Sequence, residues 1–149
     1  MIVIGEPNTR KTSTIRSLTG VGRKQHRWDV EYCPYPAPLP NAPSNIPRLV
    51  SPTYVQPAAL QEVGITAQAF IADVNAAGVE HAIVALRLKA TTRNGTPFPD
   101  AATYIAAFKA VAGWRVLQQL CLPLPQSPAN KKDPANRIAI QARQMWSIS

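Results

Sequence analysis

Cysteine is almost missing from this sequence: Cys33 and Cys121 are the only two, and they lie far apart. That rules out a disulfide framework and predicts reduced thiols in a cytoplasmic setting. Histidine is equally scarce, at His26 and His81. No Cys/His grouping has metal-ligand spacing, and no Ser/His/Asp or Cys/His set supports nucleophilic hydrolysis. No apolar run is long enough to span a bilayer, and the first residues lack the basic and apolar regions of a secretory signal, so a soluble protein is expected. Acidic residues are also short, 8 against 16 Lys and Arg, which leaves a formal charge of +8. The excess sits at the two ends. Residues 1–30 hold Arg10, Lys11, Arg16, Arg23, Lys24 and Arg27 against Glu6 and Asp29, and residues 126–149 hold Lys131, Lys132, Arg137 and Arg143 against Asp133. A field of this sign attracts polyanions, whether a nucleoside triphosphate, nucleic acid or an acidic protein.

What is present suits one domain: 149 residues, 46% of them apolar, can bury a core without metal or disulfide support. Met1 to Ile4 read as a short buried strand closed by Gly5. A helix is expected from Lys11 to Thr19, with Gly20 after it, and Trp28 to Tyr32 alternate apolar and acidic side chains as a half-wet strand does. Eight of the 15 prolines fall between Pro34 and Pro57. Proline fixes φ and removes a donor, so residues 34–58 are expected to run as an extended loop or strap, neither helix nor central strand. Regular signals then resume. Thr66 caps a helix carrying Phe70, Ile71 and Val74 and closed by Gly78, and His81 to Leu88 read as a strand covered on both faces. A helix opens at Pro99-Asp100, carries Ile105, Phe108 and Val111, and stops at Gly113; a strand follows from Arg115 to Leu122. A last helix, capped by Asp133 with Pro134 behind it, carries Ile138, Ala142, Met145 and Trp146. Strands alternating with helices predict an α/β domain, a three-layer α/β/α sandwich around a mostly parallel sheet of about four strands.

Between the first strand and first helix lies GEPNTRKTS, Gly5 to Ser13. Residues Gly5-Glu6-Pro7-Asn8-Thr9-Arg10-Lys11-Thr12 resemble the Walker A motif of the P-loop NTPase superfamily, with arginine in place of the second glycine. The resemblance covers roughly the first 20 residues, where the strand–loop–helix setting supports it. It implies that the amides of Glu6 to Lys11, with Ser13 beyond them, cradle the phosphates of ATP or GTP, ATP being favoured. Lys11 would then reach the β- and γ-phosphates, and the Thr12 hydroxyl would ligate Mg²⁺. Successive amides at a helix N-terminus form an anion nest, which agrees. A non-glycine residue in a left-handed conformation costs on the order of 1 kcal/mol, which a few charge-assisted phosphate contacts outweigh, and the Arg10 guanidinium can stand beside the phosphates with Lys11 as a second catalytic cation.

Less accompanies the loop than an NTPase usually carries. No acidic residue closely follows the strand His81 to Leu88; Asp29 and Glu31 are the acidic pair that could approach the loop from an adjacent strand, and the resemblance implies that Asp29 orients an acceptor substrate or holds magnesium through water, the alternative being a solvated strand face. Arg87 precedes and Arg93 lies within the segment LKATTRNGTPFPD, either a lid bringing arginine to a phosphoryl group or an ordinary connection. Asn130-Lys131-Lys132-Asp133 fit the guanine-reading N-K-x-D pattern, but no D-x-x-G motif exists in the chain and Asp133 already serves as a helix cap. The expected function is nucleoside-triphosphate binding with Mg²⁺, with phosphoryl transfer or slow hydrolysis if the site turns over. The rival is a basic module on a degenerate P-loop-like fold that contacts nucleic acid or a protein partner in a larger assembly.

Overall fold

The computed structural model describes residues 1–7, 9, 11–19, 27–30, 53–117 and 119–122, with only the backbone of 17, 18 and 27–30. Asn8, Arg10, the Asp29 side chain, Glu31, residues 34–52, Asn130 to Asp133 and the helix expected after Asp133 lie outside the described residues. In chain order the elements are β1 (Ile2–Gly5), α1 (Lys11–Thr19), β2 (Arg27–Val30), β3 (Thr53–Gln56), α2 (Leu60–Val63), α3 (Ala67–Ala77), β4 (His81–Arg87), β5 (Thr91–Arg93), β6 (Thr96–Phe98), α4 (Ala101–Lys109) and β7 (Gln119–Cys121).

Five strands make one sheet in the order β2-β3-β4-β1-β7. β1 runs parallel to both neighbours, Ile2 opposite Val84 on one side and Gln119 on the other. β3 is parallel to β4, and β2 pairs antiparallel with β3. The protein is therefore a small α/β fold with a mostly parallel sheet. Parallel neighbours cannot be joined by tight turns, so helices carry the crossovers.

Side chains alternate across a strand. One set, Ile2, Ile4, Tyr54, Val84 and Leu86, packs with Phe70 and Val74 of α3 and with Ala101, Tyr104 and Phe108 of α4. The intervening residues Val3, Val55, Ile83 and Ala85 are also fully buried, as is Ile15 of α1, and α1 touches β1 and β4. Aromatic rings knit the α3–α4 side: Phe70 meets Tyr54 edge-on at 5.6 Å and Phe108 at 5.5 Å. Burying one such ring stabilises the fold by about 1.5–3 kcal/mol.

The helix caps follow the sequence. The Thr66 hydroxyl accepts from Ala69 N at 3.1 Å, and Asp100 accepts from Thr103 N at 2.9 Å. Gly78 closes α3 at φ 66°, where a side chain would be strained.

Three expectations change. The end of the proline-rich segment is a strand in the sheet's interior: β3 lies between β2 and β4. Pro52 and Pro57 bracket it, so neither removes a donor from its ladder, and Thr53, Tyr54 and Val55 favour the pleat. The segment from Leu88 to Pro99 contains a hairpin, β5 and β6 joined by Asn94-Gly95 at φ 48° and 79°, the two positive angles that a two-residue turn requires. The last strand is shorter than expected, because Trp114 and Val116 turn onto the helical core, Trp114 lying 6.0 Å from Phe108.

Candidate functional site

β1 ends at the loop that leads into α1, and the carbonyl ends of β3 and β4 open beside it. Ligands in parallel α/β sheets bind at this edge. The loop is drawn tight. Thr9 is buried and its hydroxyl donates to the Glu6 carbonyl at 2.8 Å, with its amide reaching the same oxygen at 3.3 Å. Gly5 is required by this closeness, since a Cβ there would collide with the Thr9 side chain.

Lys11 is the first residue of α1 and only 5% exposed. Its ammonium donates to the Glu6 carbonyl at 3.0 Å and lies 3.7 Å from Glu62 Oε1. Burial pushes its pKa below the usual 10.5; the carboxylates of Glu62 and Glu6 oppose that shift, and the nearby Arg87 guanidinium adds to it. Lys11 thus stands within electrostatic reach of two carboxylates, Glu6 and Glu62, and of one further cation, Arg87. Glu6 Oε1 and Arg87 Nε are buried without hydrogen-bond partners, as is Thr14 Oγ1 on α1. Unmatched buried polar atoms are uncommon in folded proteins and call for an explanation such as a ligand or ion.

The remaining loop residues divide. Thr12 is half-buried and its hydroxyl donates to the Pro57 carbonyl at 3.2 Å, at the end of β3, while Pro7 and Ser13 are exposed. Asn8, Arg10 and the Asp29 carboxylate lie outside the described residues. Arg93 is committed elsewhere: its guanidinium donates to the Val63 carbonyl at 2.9 Å, pinning the hairpin to α2. Arg87 Nη1 donates to Thr91 Oγ1 at 3.1 Å, and its Nε is buried without a hydrogen-bond partner.

Two residues of the cluster are not legible in the sequence. Glu62 is the carboxylate beside Lys11, supplied by the short α2 after β3. Gln61, fully buried, donates to the carbonyls of Arg87 at 3.1 Å and Pro99 at 3.2 Å and accepts from Arg87 N at 3.0 Å. It holds α2 against the end of β4 and so sets where Glu62 stands. An acidic residue followed by an apolar helix has no pattern of its own; the clue was Gln61-Glu62 shortly after a run of strand-forming residues.

A cavity of about 250 Å³ lies elsewhere, at the amino ends of β1 and β4, lined by Met1, Phe70, Val74, His81, Phe108 and Trp114. It belongs to the opposite edge of the sheet from Lys11. Among the described residues, no cluster of His, Cys, Asp and Glu could by itself hold a metal ion, and no helix is long and apolar enough to cross a membrane. Compared with family models, with curated proteins and with solved structures, the chain matches none, so its function has to be read from the geometry around Lys11 alone.

Proposed function

We propose that this chain is a small P-loop-like protein that binds the phosphates of a nucleoside triphosphate, ATP before GTP, at the loop between β1 and α1. The observation that carries it is Lys11: an almost fully buried ammonium, held on the first turn of a helix directly after a parallel strand, with the Arg87 guanidinium beside it. A buried cation whose charged form the fold disfavours is retained at a cost, and an incoming anion would offset that cost. The finer architecture belongs to the same proposal: a three-layer sandwich, with α1 on one face of the sheet and α3 and α4 on the other.

In this assignment the free backbone amides of the loop from Gly5 and of the first turn of α1 to Ser13, Pro7 having none to offer, hold the phosphates with the ammonium of Lys11, Arg87 Nε supplies a further donor, and Arg10 adds its charge from within the loop. Magnesium would arrive with the phosphates, since one hydroxyl and one carboxylate, Thr12 and Glu62, cannot enclose it; this is how magnesium usually binds. Asp29 on β2 is the further holder proposed from the sequence. Bound Mg²⁺ would neutralise phosphate charge. Glu62 would part from Lys11 as the phosphate arrives. If the site turns over, the chemistry is phosphoryl transfer or slow hydrolysis, by positioning and charge.

A second reading has its own observation. Thr9 N, Thr9 Oγ1 and Lys11 Nζ all converge on the Glu6 carbonyl, so the loop closes on itself. That suits a degenerate loop on a basic module for nucleic acid or a protein partner. Melting curves with Mg-ATP, Mg-GTP and a short oligonucleotide separate the two. A magnesium-dependent rise that Lys11→Ala abolishes supports the nucleotide site. A rise with the oligonucleotide alone, falling steeply with salt, supports the basic module instead.

A further inference from the structure

Three consecutive residues of α2 each make a polar contact with a different part of the protein. Gln61 bonds both backbone groups of Arg87 and the carbonyl of Pro99, the two ends of the segment carrying the hairpin. Glu62 lies 3.7 Å from the Lys11 ammonium. The Val63 carbonyl accepts from Arg93 in β5, and the Arg93 guanidinium fills the space above Gly64, which stands at φ 74°. Below the turn, Tyr104 donates to the Ile65 carbonyl at 2.7 Å, fixing the far end of the connection to α4.

We infer that α2 couples anion binding at Lys11 to the β5–β6 hairpin, which is released when Glu62 loses its cation. This rests on the phosphate site proposed above. The Glu62 carboxylate and an incoming phosphate compete for one ammonium, because Lys11 cannot be withdrawn from the loop and serve both equally. With the ion pair gone, α2 keeps Gln61 as its hold on β4 and loses its hold on α1. The carbonyl of Val63 moves with it, and Arg93 is the hairpin's direct hydrogen bond to that turn. The rest of the hairpin, from Thr92 to Pro97, is exposed, while its two roots stay fixed by the bond from Arg87 to Thr91 and by the buried Phe98, so the release is confined to the tip.

Hydrogen exchange read by mass spectrometry tests this with magnesium and ATP as the probe. The coupling requires opposite signs in one experiment: amides of residues 5–12 exchange more slowly on binding, while those of Thr91 to Thr96 exchange faster, by about tenfold, the protection of one hydrogen bond. Ordinary ligand stabilisation would slow both. Glu62→Gln should speed hairpin exchange without any ligand, and Arg93→Met should leave the loop's protection intact but make the hairpin indifferent to ATP. Loop protection with an unchanged or slowed hairpin overturns the coupling and leaves the phosphate site standing. A fast hairpin in Glu62→Gln with no loop protection by ATP keeps the link through α2 and overturns the phosphate site. An unchanged hairpin in Glu62→Gln overturns the coupling.

Discussion

Replacing Lys11 with methionine separates what this residue does for the fold from what it does for a ligand. The two side chains are similar in length, so packing around an almost fully buried position is kept. Across 3.7 Å the attraction between Lys11 and Glu62 is about 4 kcal/mol at an effective dielectric of about 20. Against it stands the desolvation of a buried ammonium, of several kcal/mol. The balance is given by the direction of the pKa, which lies below 10.5 with burial as the leading cause. A lysine pKa lowered by folding means that the folded state binds the proton less tightly than the unfolded chain does, so the charge costs stability. That cost is fully present below the folded pKa and is relieved as pH rises through it toward 10.5, where the unfolded chain still holds its proton and the folded one does not. Lys11→Met removes that cost but leaves the Glu62 carboxylate and the buried Glu6 Oε1 without their cation, a loss that opposes the gain, so the variant should lie within about 2 kcal/mol of its parent at neutral pH. That keeps its melting temperature within about 8 °C of the parent's, and the alkaline gain of the parent should disappear. The parent at a nucleotide concentration of about 100 Kd should gain about 2.7 kcal/mol, or about 5–11 °C, and the variant nothing. Calorimetry with and without Mg-ATP reads both. A variant less stable than its parent by more than about 2 kcal/mol in plain buffer would make Lys11 a structural strut, and an undiminished ATP shift would remove it from the site.

Gly5→Ala should destabilise the loop and weaken nucleotide binding, and adding Thr9→Gly should recover part of the loss by clearing the atoms the new methyl meets, a non-additivity that urea denaturation of the four combinations would reveal. Gln61→Leu leaves the amide and carbonyl of the half-buried Arg87 and the carbonyl of the exposed Pro99 without their partner and should cost about 1–3 kcal/mol in the same assay. Thr66→Ala should lose about 1 kcal/mol, with Thr66→Asn close to neutral, because only the oxygen over Ala69 N matters.

The strand, loop and first helix are legible because apolar residues, glycine and the Lys11 start follow one another within a few positions, and local signals suffice. The caps at Thr66 and Asp100 are legible for the same reason. β3 is hidden because its four residues stand in a neighbourhood dominated by proline, and pairing with β4 outweighs that composition. Glu62 is hidden for a different reason: it reaches Lys11 through the packing of α2, held by Gln61, and no spacing along the chain announces a contact made by folding. A carboxylate near the loop is sought at the end of β4, and the fold supplies one from the connection after β3. Arg10 and Asn8, the residues on which the unusual loop turns, lie outside the described residues, so Arg10→Gly is the experiment that reads its role directly: tighter nucleotide binding marks the arginine as an obstacle, weaker binding as a ligand.

The position of β1 has a consequence for synthesis. It leaves the ribosome well before both its neighbours, β4 and β7. Until those partners emerge, its backbone has nothing to pair with inside the chain, and the Gly5 to Lys11 turn has no wall behind it. The nascent chain must carry this apolar strand unpaired until His81 to Arg87 and then Gln119 to Cys121 are made, so chaperone dependence should fall on this strand and ease when Leu122 is made.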